Sequence, residues 1–181
     1  MPDTILCRVS LYLFITAFGV GSSIKDIDPV TYIKKGVKEL LNYLGKKVKG
    51  IIPVEIGPTS LASAFFIASE LKLPIVDADF VGGKSAPEIF LETISLFKLN
   101  RTPLVLVGTE GNIAIFTKSI SFKEEERILR TFSKEKTFVV GYPFSKKTLE
   151  KKIETGTVSE ALKIGKIINS NNFNDLLKMK N

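Results

Sequence analysis

Residues Gly50 to Asp79 read "GIIPVEIGPTSLASAFFIASELKLPIVDAD", and this stretch decides the predicted fold. Its two ends, "GIIPVEIG" and "LPIVDAD", are apolar runs of the length typical of β-strands. Between them, the apolar residues of "PTSLASAFFIASELK" recur at the spacing of an α-helix. A strand, a helix and a second strand in succession predict two parallel strands joined by a right-handed crossover.

The residues before this stretch predict a second unit of the same kind. Residues 9–18 form an apolar, β-rich run, and residues 29–44 follow as a predicted helix. Asp28 is a suitable N-cap, Pro29 suits the first helical position, and Gly45 suits the C-terminal stop. Two strand–helix–strand units in succession favour a parallel sheet that is covered by helices on both faces.

The residues after this stretch change the pattern. "TPLVLVGTEGNIAIFTK" predicts an antiparallel hairpin, and "TFVVGYPF" predicts one more short strand. Further helices are predicted at 122–136, near 145–153 and at "TVSEALKIGKIIN", where Thr157 and Glu160 have the form of a capping box. The predicted fold class is therefore α/β, a mainly parallel sheet with helices on both faces plus an antiparallel hairpin. We expect one such domain over 1–170 and a C-terminal tail over 171–181.

Composition and charge favour an ordinary globular domain. The chain has 181 residues, of which 44% are hydrophobic and 25% are charged, so one substantial core is expected. The formal net charge of +7 is carried by lysines that are scattered among glutamates along predicted helices. A nucleic-acid surface would instead gather them into one basic stripe. Nucleic acid is therefore not an expected partner.

The counts of cysteine and histidine limit the chemistry. Cys7 is the only cysteine and histidine is absent, so a disulfide within the chain and zinc sites built from these residues are excluded. Histidine-based acid–base catalysis is excluded as well. Catalysis by this chain has to use carboxylates, lysine, tyrosine, hydroxyls or backbone amides.

The segment "LCRVSLYLFITAFGVGSS" near the N-terminus loosely resembles a secretion signal, because Arg8 precedes an apolar run and small residues follow it. The run is too short to span a bilayer as a helix. Its β-branched and aromatic residues, ended by Gly19 and Gly21, favour a buried strand. We therefore expect a cytoplasmic protein without a membrane partner.

Polar clusters follow the predicted strands at "GVGSS", "EIGPTS" and "DADFVGGKSAPE". In parallel α/β sheets, ligands bind beyond the carboxyl ends of the strands. The clusters therefore predict a ligand site at that edge of the sheet. Turn geometry is the competing explanation, because loops use Gly, Ser and Asp for that purpose alone.

Asp77 and Asp79 are the first candidates for catalysis. If the strand continues through Asp79, the two side chains point to the same face. Neighbouring carboxylates repel each other, which makes one a proton donor and the other a proton acceptor. A divalent cation such as Mg²⁺ bound by both is the alternative, and the cofactor is otherwise unknown. In the structural interpretation, Asp77 caps a neighbouring loop and Asp79 is solvated.

Further candidates lie on either side of this pair. Glu55 interrupts an apolar run, so its carboxylate needs a partner, solvent or a functional role. Gly82 and Gly83 allow the backbone to approach a ligand, and Lys84 supplies a positive charge. The spacing of a Walker phosphate loop is absent. Glu88 is equally compatible with an ordinary helix start, where the helix dipole favours a carboxylate.

The segments "EIGPTSLASAFFIASELKLPIVDADFVGGKSAPE", "PLVLVGTEGN", "EEERILR" and "GTVSEALKIGKII" resemble, in order and spacing, the N-terminal domain of the S-methyl thiohydantoin desulfurase family. The resemblance runs from about residue 13 to residue 168. This family was long described as a domain of unknown function beside hydantoinase and oxoprolinase proteins. The resemblance implies an enzyme, or an enzyme subunit, that hydrolyses a methylthio group from a hydantoin-like cyclic amide.

The resemblance also supplies the positions of a site. By their chemistry, Asp77 and Asp79 would activate water or hold a cation, and Glu55 would transfer a proton or orient the ring. Lys84 would stabilise developing negative charge. The expected substrate-binding residues are Gly57, Gly82, Gly83, Lys84 and Glu88.

The sequence departs from the family pattern at several points. Lys84 replaces an expected arginine, which loses the planar fork for a carboxylate, and Pro58 replaces a second glycine. A glycine-rich segment before the first strand and a β-rich second domain have no counterpart here. The alternative function is therefore a non-catalytic binding or assembly module that needs a partner chain for the C-terminal domain, or that forms a homo-oligomer.

Overall fold

The structure is a computed structural model, and it describes residues 11–19, 28–83, 102–118, 121, 124, 127–128, 131–132, 136–145, 153–171 and 174–179. Seven strands are present in this part of the chain: β1 (Leu11–Gly19), β2 (Val48–Pro53), β3 (Ala78–Asp79), β4 (Leu104–Gly108), β5 (Ile113–Phe116), β6 (Lys136–Ser145) and β7 (Glu154–Thr155). The described helices are α1 (Pro29–Leu44), α2 (Pro58–Leu71), α3 (Thr157–Asn169) and α4 (Asn174–Lys178).

Five of the strands form one sheet in the order β2-β1-β6-β4-β5, and β3 pairs with β7 in a separate ribbon. Only β1 and β2 are parallel within the five-stranded sheet; β1 with β6, β6 with β4, and β4 with β5 are antiparallel. The prediction of a mainly parallel sheet is therefore wrong. Its physical cause is β6, which enters between β1 and β4 and runs opposite to both. The predicted hairpin is present as β4 and β5.

The third predicted strand, "LPIVDAD", does not join the main sheet as a strand. It makes one parallel bridge, between Ile51 and Ile75, where Ile51 N–H donates to the Pro74 carbonyl at 3.0 Å and Val76 N–H donates to the Ile51 carbonyl at 2.8 Å. The chain then bends at Asp77, and Ala78–Asp79 pair antiparallel with β7. The parallel crossover predicted over residues 50–79 is thus reduced to a single bridge between Ile51 and Ile75.

Helix α1 begins and ends at the predicted residues. The Asp28 carboxylate accepts hydrogen bonds from Val30 N–H at 3.1 Å and from the Thr31 hydroxyl at 2.6 Å. The bond from Thr31 is the main reason that the pKa of Asp28 lies below its usual value. Gly45 closes the helix at φ +57°, a left-handed conformation that costs glycine little. Local capping therefore fixes this helix.

Helices α1 and α2 lie side by side on one face of the main sheet, α1 against β4 and β6 and α2 against β1 and β2. Gly36 of α1 allows close packing, because a Cβ there would lie 2.9 Å from methyl groups of Val107 and Val140. On the opposite face of β4, the ring of Phe132 lies beside Gly108. The core between helices and sheet consists of Ile33, Val37, Leu40, Val48, Ile51, Ala64, Ile67, Ala68, Val105, Val107 and Val140.

The remaining predicted helices have mixed outcomes. In the predicted helix 122–136, residues 124, 127–128 and 131–132 are helical and most of the others lie outside the described residues. In the predicted helix near 145–153, residue 145 ends β6, residue 153 is not helical, and 146–152 lie outside the described residues. Residues 174–178 of the expected tail form α4, while the division at residue 170 stays a prediction.

Helix α3 begins at the predicted residue, but the predicted capping box is wrong. The N-cap is Gly156, at φ +88°, and no side chain of its own segment caps the helix. Thr157 is the first helical residue, so its hydroxyl is one position too late for the box. No helix in the described ranges has the length and apolar character needed to cross a membrane.

Candidate functional site

Three segments of the chain meet beside the end of β2. Phe80 N–H donates to the Val54 carbonyl at 3.2 Å, which joins residues 77–83 to the turn that leads into α2. Gly156 N–H donates to the Asp77 carbonyl at 2.8 Å, which joins the same residues to the start of α3. The candidate site thus consists of residues 54–60, 77–83 and 154–159.

Asp77 connects its segment to helix α3. Its exposed carboxylate accepts the Ser159 N–H at 2.8 Å and the Ser159 hydroxyl at 2.5 Å, across 82 residues of sequence. These two bonds, the one from the hydroxyl first, lower the pKa of Asp77. The carboxylate therefore serves the free N–H groups at the start of α3, as expected of a cap supplied by a distant residue.

Asp79 organises the loop that follows it. Its side chain is buried with 0% exposure, so the interpretation of Asp79 as a solvated residue is wrong. One carboxylate oxygen accepts Val81 N–H at 2.5 Å and the other accepts Gly83 N–H at 2.8 Å. No described lysine or arginine forms an ion pair with it. Each oxygen of this buried carboxylate thus accepts a hydrogen bond from a backbone N–H, and burial of such a group requires hydrogen bonds of this kind.

The two aspartates have separate partners. Asp77 contacts the start of α3, whereas Asp79 contacts the loop at residues 81–83. Strand β3 is only Ala78–Asp79, so Asp77 lies before it and the expected continuous strand is absent there. Across the residues that the structure describes, no group of three or more Cys, Asp or Glu side chains is arranged to hold a metal ion.

Glu55 lies in the turn between β2 and α2. Its half-buried carboxylate accepts a hydrogen bond from the Ser60 hydroxyl at 3.0 Å, and Ser60 is buried in the first turn of α2. Gly57 is the N-cap, and it has no side chain that could cap the helix. Because the Glu55 carboxylate is bonded to Ser60 in the first turn, its negative charge lies near the positive end of the helix dipole. Glu55 has the partner that the sequence required, and part of its side chain still reaches solvent.

We call residues Phe80–Gly83 the glycine loop. Gly82 and Gly83 have φ of +68° and +73°, a region that residues with a Cβ rarely adopt. A Cβ on Gly82 would lie 2.6 Å from a carboxylate oxygen of Glu154, and one on Gly83 would lie 3.6 Å from the Thr157 methyl group. Both glycines are therefore required by conformation. Lys84 and Glu88 lie outside the described residues.

Three residues of this site were not predicted: Glu154, Thr157 and Ser159. Glu154 is paired with Asp79 in the β3–β7 ribbon. Thr157 is 5% exposed, and its hydroxyl has no hydrogen-bond partner in the described structure. The one available signal in the sequence was Gly156, directly before Thr157. Glycine can take the positive φ found at this N-cap, and a cap at Gly156 makes Thr157 the first residue of the helix.

Residues 10–118 match the family model described as "S-Me-THD-like, N-terminal domain". The chain belongs to this family. The match includes Glu55, Asp77, Asp79 and both loop glycines, and it confirms the resemblance found in the sequence for these residues. Thr157 and Ser159 lie beyond the matched range of this S-Me-THD-like domain.

One similar solved structure is an X-ray crystal structure of a protein from Chromobacterium violaceum. It superposes with a TM-score of 0.75 at 20% sequence identity, over 91% of this chain and 48% of that chain. At this identity the likeness shows the fold alone. The S-Me-THD-like chain thus spans about half the length of the structure it matches. No curated protein matches it.

Proposed function

We propose that this chain is the ring-binding part of an enzyme that hydrolyses a hydantoin-like cyclic amide of the S-methyl thiohydantoin type. The observation that carries the proposal is the family match over residues 10–118, which contains the turn of Glu55 and the glycine loop. These two segments are held together by the bond between Phe80 N–H and the Val54 carbonyl. In this proposal, the ring binds at two segments that contact each other in the folded chain.

In the proposed reaction, water attacks the ring carbon that carries the methylthio group. The new carbon–oxygen bond replaces the carbon–sulfur bond, and methanethiol leaves with one proton of the water. The other proton ends on the ring nitrogen, so the ring becomes a hydantoin. Glu55 is the group best suited to accept the proton of the attacking water, because its half-buried carboxylate is in contact with solvent and lies in the turn beside the glycine loop. Lys84 is proposed to balance the developing charge.

Asp79 has a different part in this proposal. Both of its oxygens already accept backbone N–H groups, so it fixes the glycine loop in place. It is a positioning residue that acts on the ring through the loop. Asp77 similarly positions the start of α3.

A second candidate is a non-catalytic binding or assembly module that a partner chain completes, or that forms a homo-oligomer. The observation that favours it is the engagement of both aspartates by intramolecular donors. The match to only 48% of the related crystal structure's chain also favours it. Under this proposal, the catalytic groups come from a domain equivalent to the half of the crystal structure's chain that this chain does not cover. That domain can lie in any polypeptide that associates with this fold.

We also propose a cytoplasmic location. The segment that resembles a secretion signal contains β1, which pairs with β2 on one side and β6 on the other. Its removal by a signal peptidase would take an interior strand from the main sheet. This supports retention of the segment in the working protein.

The test measures methanethiol release from an S-methyl thiohydantoin by the purified chain, alone and with the polypeptide encoded beside its gene. Glu55→Gln should abolish most turnover, since the amide cannot accept the proton. Glu70→Gln is the matched control, because Glu70 lies at the other end of α2 in an exposed ion pair with Lys34. Equal turnover by Glu55→Gln and the native chain would remove Glu55 from the mechanism. Ring binding without turnover under both conditions would favour the module.

A further inference from the structure

The hydroxyl of Thr157 is a buried polar group that the fold does not use. Thr157 is 5% exposed, and no described residue forms a hydrogen bond with its Oγ1. Buried hydroxyls in folded proteins nearly always have a partner, because leaving one unpaired costs free energy. An exception of this kind calls for a physical reason.

Helix capping is not that reason. Gly156 occupies the N-cap, and the Ser159 N–H is already satisfied by the Asp77 carboxylate. The hydroxyl of Thr157 therefore adds nothing to the start of α3. Valine would fill the same volume without the unpaired oxygen, as Val158 does at the next position with 3% exposure.

The glycine loop lies beside Thr157. Its methyl group packs against Gly83, and the Glu154 carboxylate lies over Gly82. Neither glycine has a side chain to shield the peptide groups of the loop, and Asp79 fixes their positions through two hydrogen bonds. A hydroxyl, a carboxylate and bare peptide groups thus lie around one short loop.

The hydrogen-bonding groups beside the loop indicate the class of ligand. They are the Glu154 carboxylate and the Thr157 hydroxyl. A neutral ring with N–H donors and carbonyl acceptors fits both groups. The carboxylate can accept a ring N–H, and the hydroxyl can donate to a ring carbonyl.

We propose that Thr157 is a ligand-binding residue whose hydroxyl donates a hydrogen bond to a carbonyl of a neutral cyclic amide bound against the glycine loop. Glu154 accepts an N–H of the same ring. The proposal rests on the proposed function, and it adds a residue from outside the matched family segment. It also explains why this hydroxyl has no partner within the fold, because its partner arrives with the ligand.

The test compares Thr157→Val with Thr157→Ser. Valine keeps the methyl contact with Gly83 and removes the hydroxyl, whereas serine keeps the hydroxyl. Thr117→Val is the matched control, since Thr117 is exposed and follows β5, outside the candidate site. Urea unfolding without ligand gives the stability, and calorimetric titration with hydantoin and with S-methyl thiohydantoin gives the affinity.

Thr157→Val should be at least as stable as the native chain and should bind the rings about tenfold more weakly, the effect of one lost hydrogen bond. Thr157→Ser and Thr117→Val should bind within about threefold of the native chain. Lower stability of Thr157→Val would show an internal partner for the hydroxyl and overturn the proposal. Unchanged affinity in Thr157→Val would overturn it while leaving the proposed function intact. Absence of ring binding by the native chain would remove both.

Discussion

Replacement of Asp77 by alanine tests the contact that joins the candidate site to α3. It removes the acceptor of both the Ser159 N–H and the Ser159 hydroxyl. Loss of a helix cap costs about 0.5–2 kcal/mol, and loss of a negative charge near a helix start costs about 0.3–1 kcal/mol. Because the carboxylate is exposed and screened by solvent, we expect a total loss of about 1–2 kcal/mol in the free energy of unfolding.

The pH dependence of that loss has a definite sign. The pKa of Asp77 is lowered in the folded chain from the usual 3.8, so the carboxylate stabilises the fold above that value. This stabilisation disappears as the pH falls through the lowered pKa of the folded state. The native chain and Asp77→Ala should therefore differ most near neutral pH and converge in acid.

The measurement is urea unfolding of each protein at several pH values. Asp77→Asn is the control for charge, because it retains one acceptor and does not titrate; we expect an intermediate loss. Ser159→Ala keeps the carboxylate and the backbone donor, so its loss should be smaller than that of Asp77→Ala. An unchanged urea midpoint in Asp77→Ala, or a difference that persists in acid, would refute the capping role of Asp77.

Three other substitutions have expected outcomes that urea unfolding or thermal melting can check. Asp79→Asn turns an amide N–H₂ toward one of the two loop donors, Val81 N–H or Gly83 N–H, so one hydrogen bond to a charged group is lost and stability should fall by about 1–3 kcal/mol; a neutral result would contradict the role of this carboxylate in the loop. Gly36→Ala places a methyl 2.9 Å from a methyl of Val107, and crowding of about 1–3 kcal/mol should exceed the gain in helix propensity of about 1 kcal/mol. Gly165→Ala in α3 meets no atom within 4 Å, so it should raise stability by about 0.5–1 kcal/mol and serves as the matched control for Gly36→Ala.

The sequence was sufficient for elements whose ends are fixed locally. Helix α1 has its cap, its first proline and its closing glycine in adjacent residues, and its bounds are those predicted. The direction of sheet pairing has no such local signal. Residues 137–144 predict a strand, but nothing in them specifies insertion between β1 and β4. The mainly antiparallel sheet therefore follows from tertiary packing.

The same distinction applies to the candidate site. Glu55 and the loop glycines were found because a charge in an apolar run and a Gly-Gly pair are visible locally. The contact between Asp77 and Ser159 spans 82 residues, so no window of sequence contains both partners. Thr157 was assigned to a capping box because the position of a cap depends on the φ of Gly156, which the spacing Thr-x-x-Glu does not specify.

The place of β6 in the main sheet limits how the protein can be divided. The matched family segment ends at residue 118 and includes β1, β2, β4 and β5. In the sheet, β6 separates the first two of these strands from the last two. A fragment cut at residue 118 would leave two unconnected strand pairs with open edges, a known route to aggregation. The segment matched by the family model is therefore smaller than the unit that we expect to be needed for folded protein.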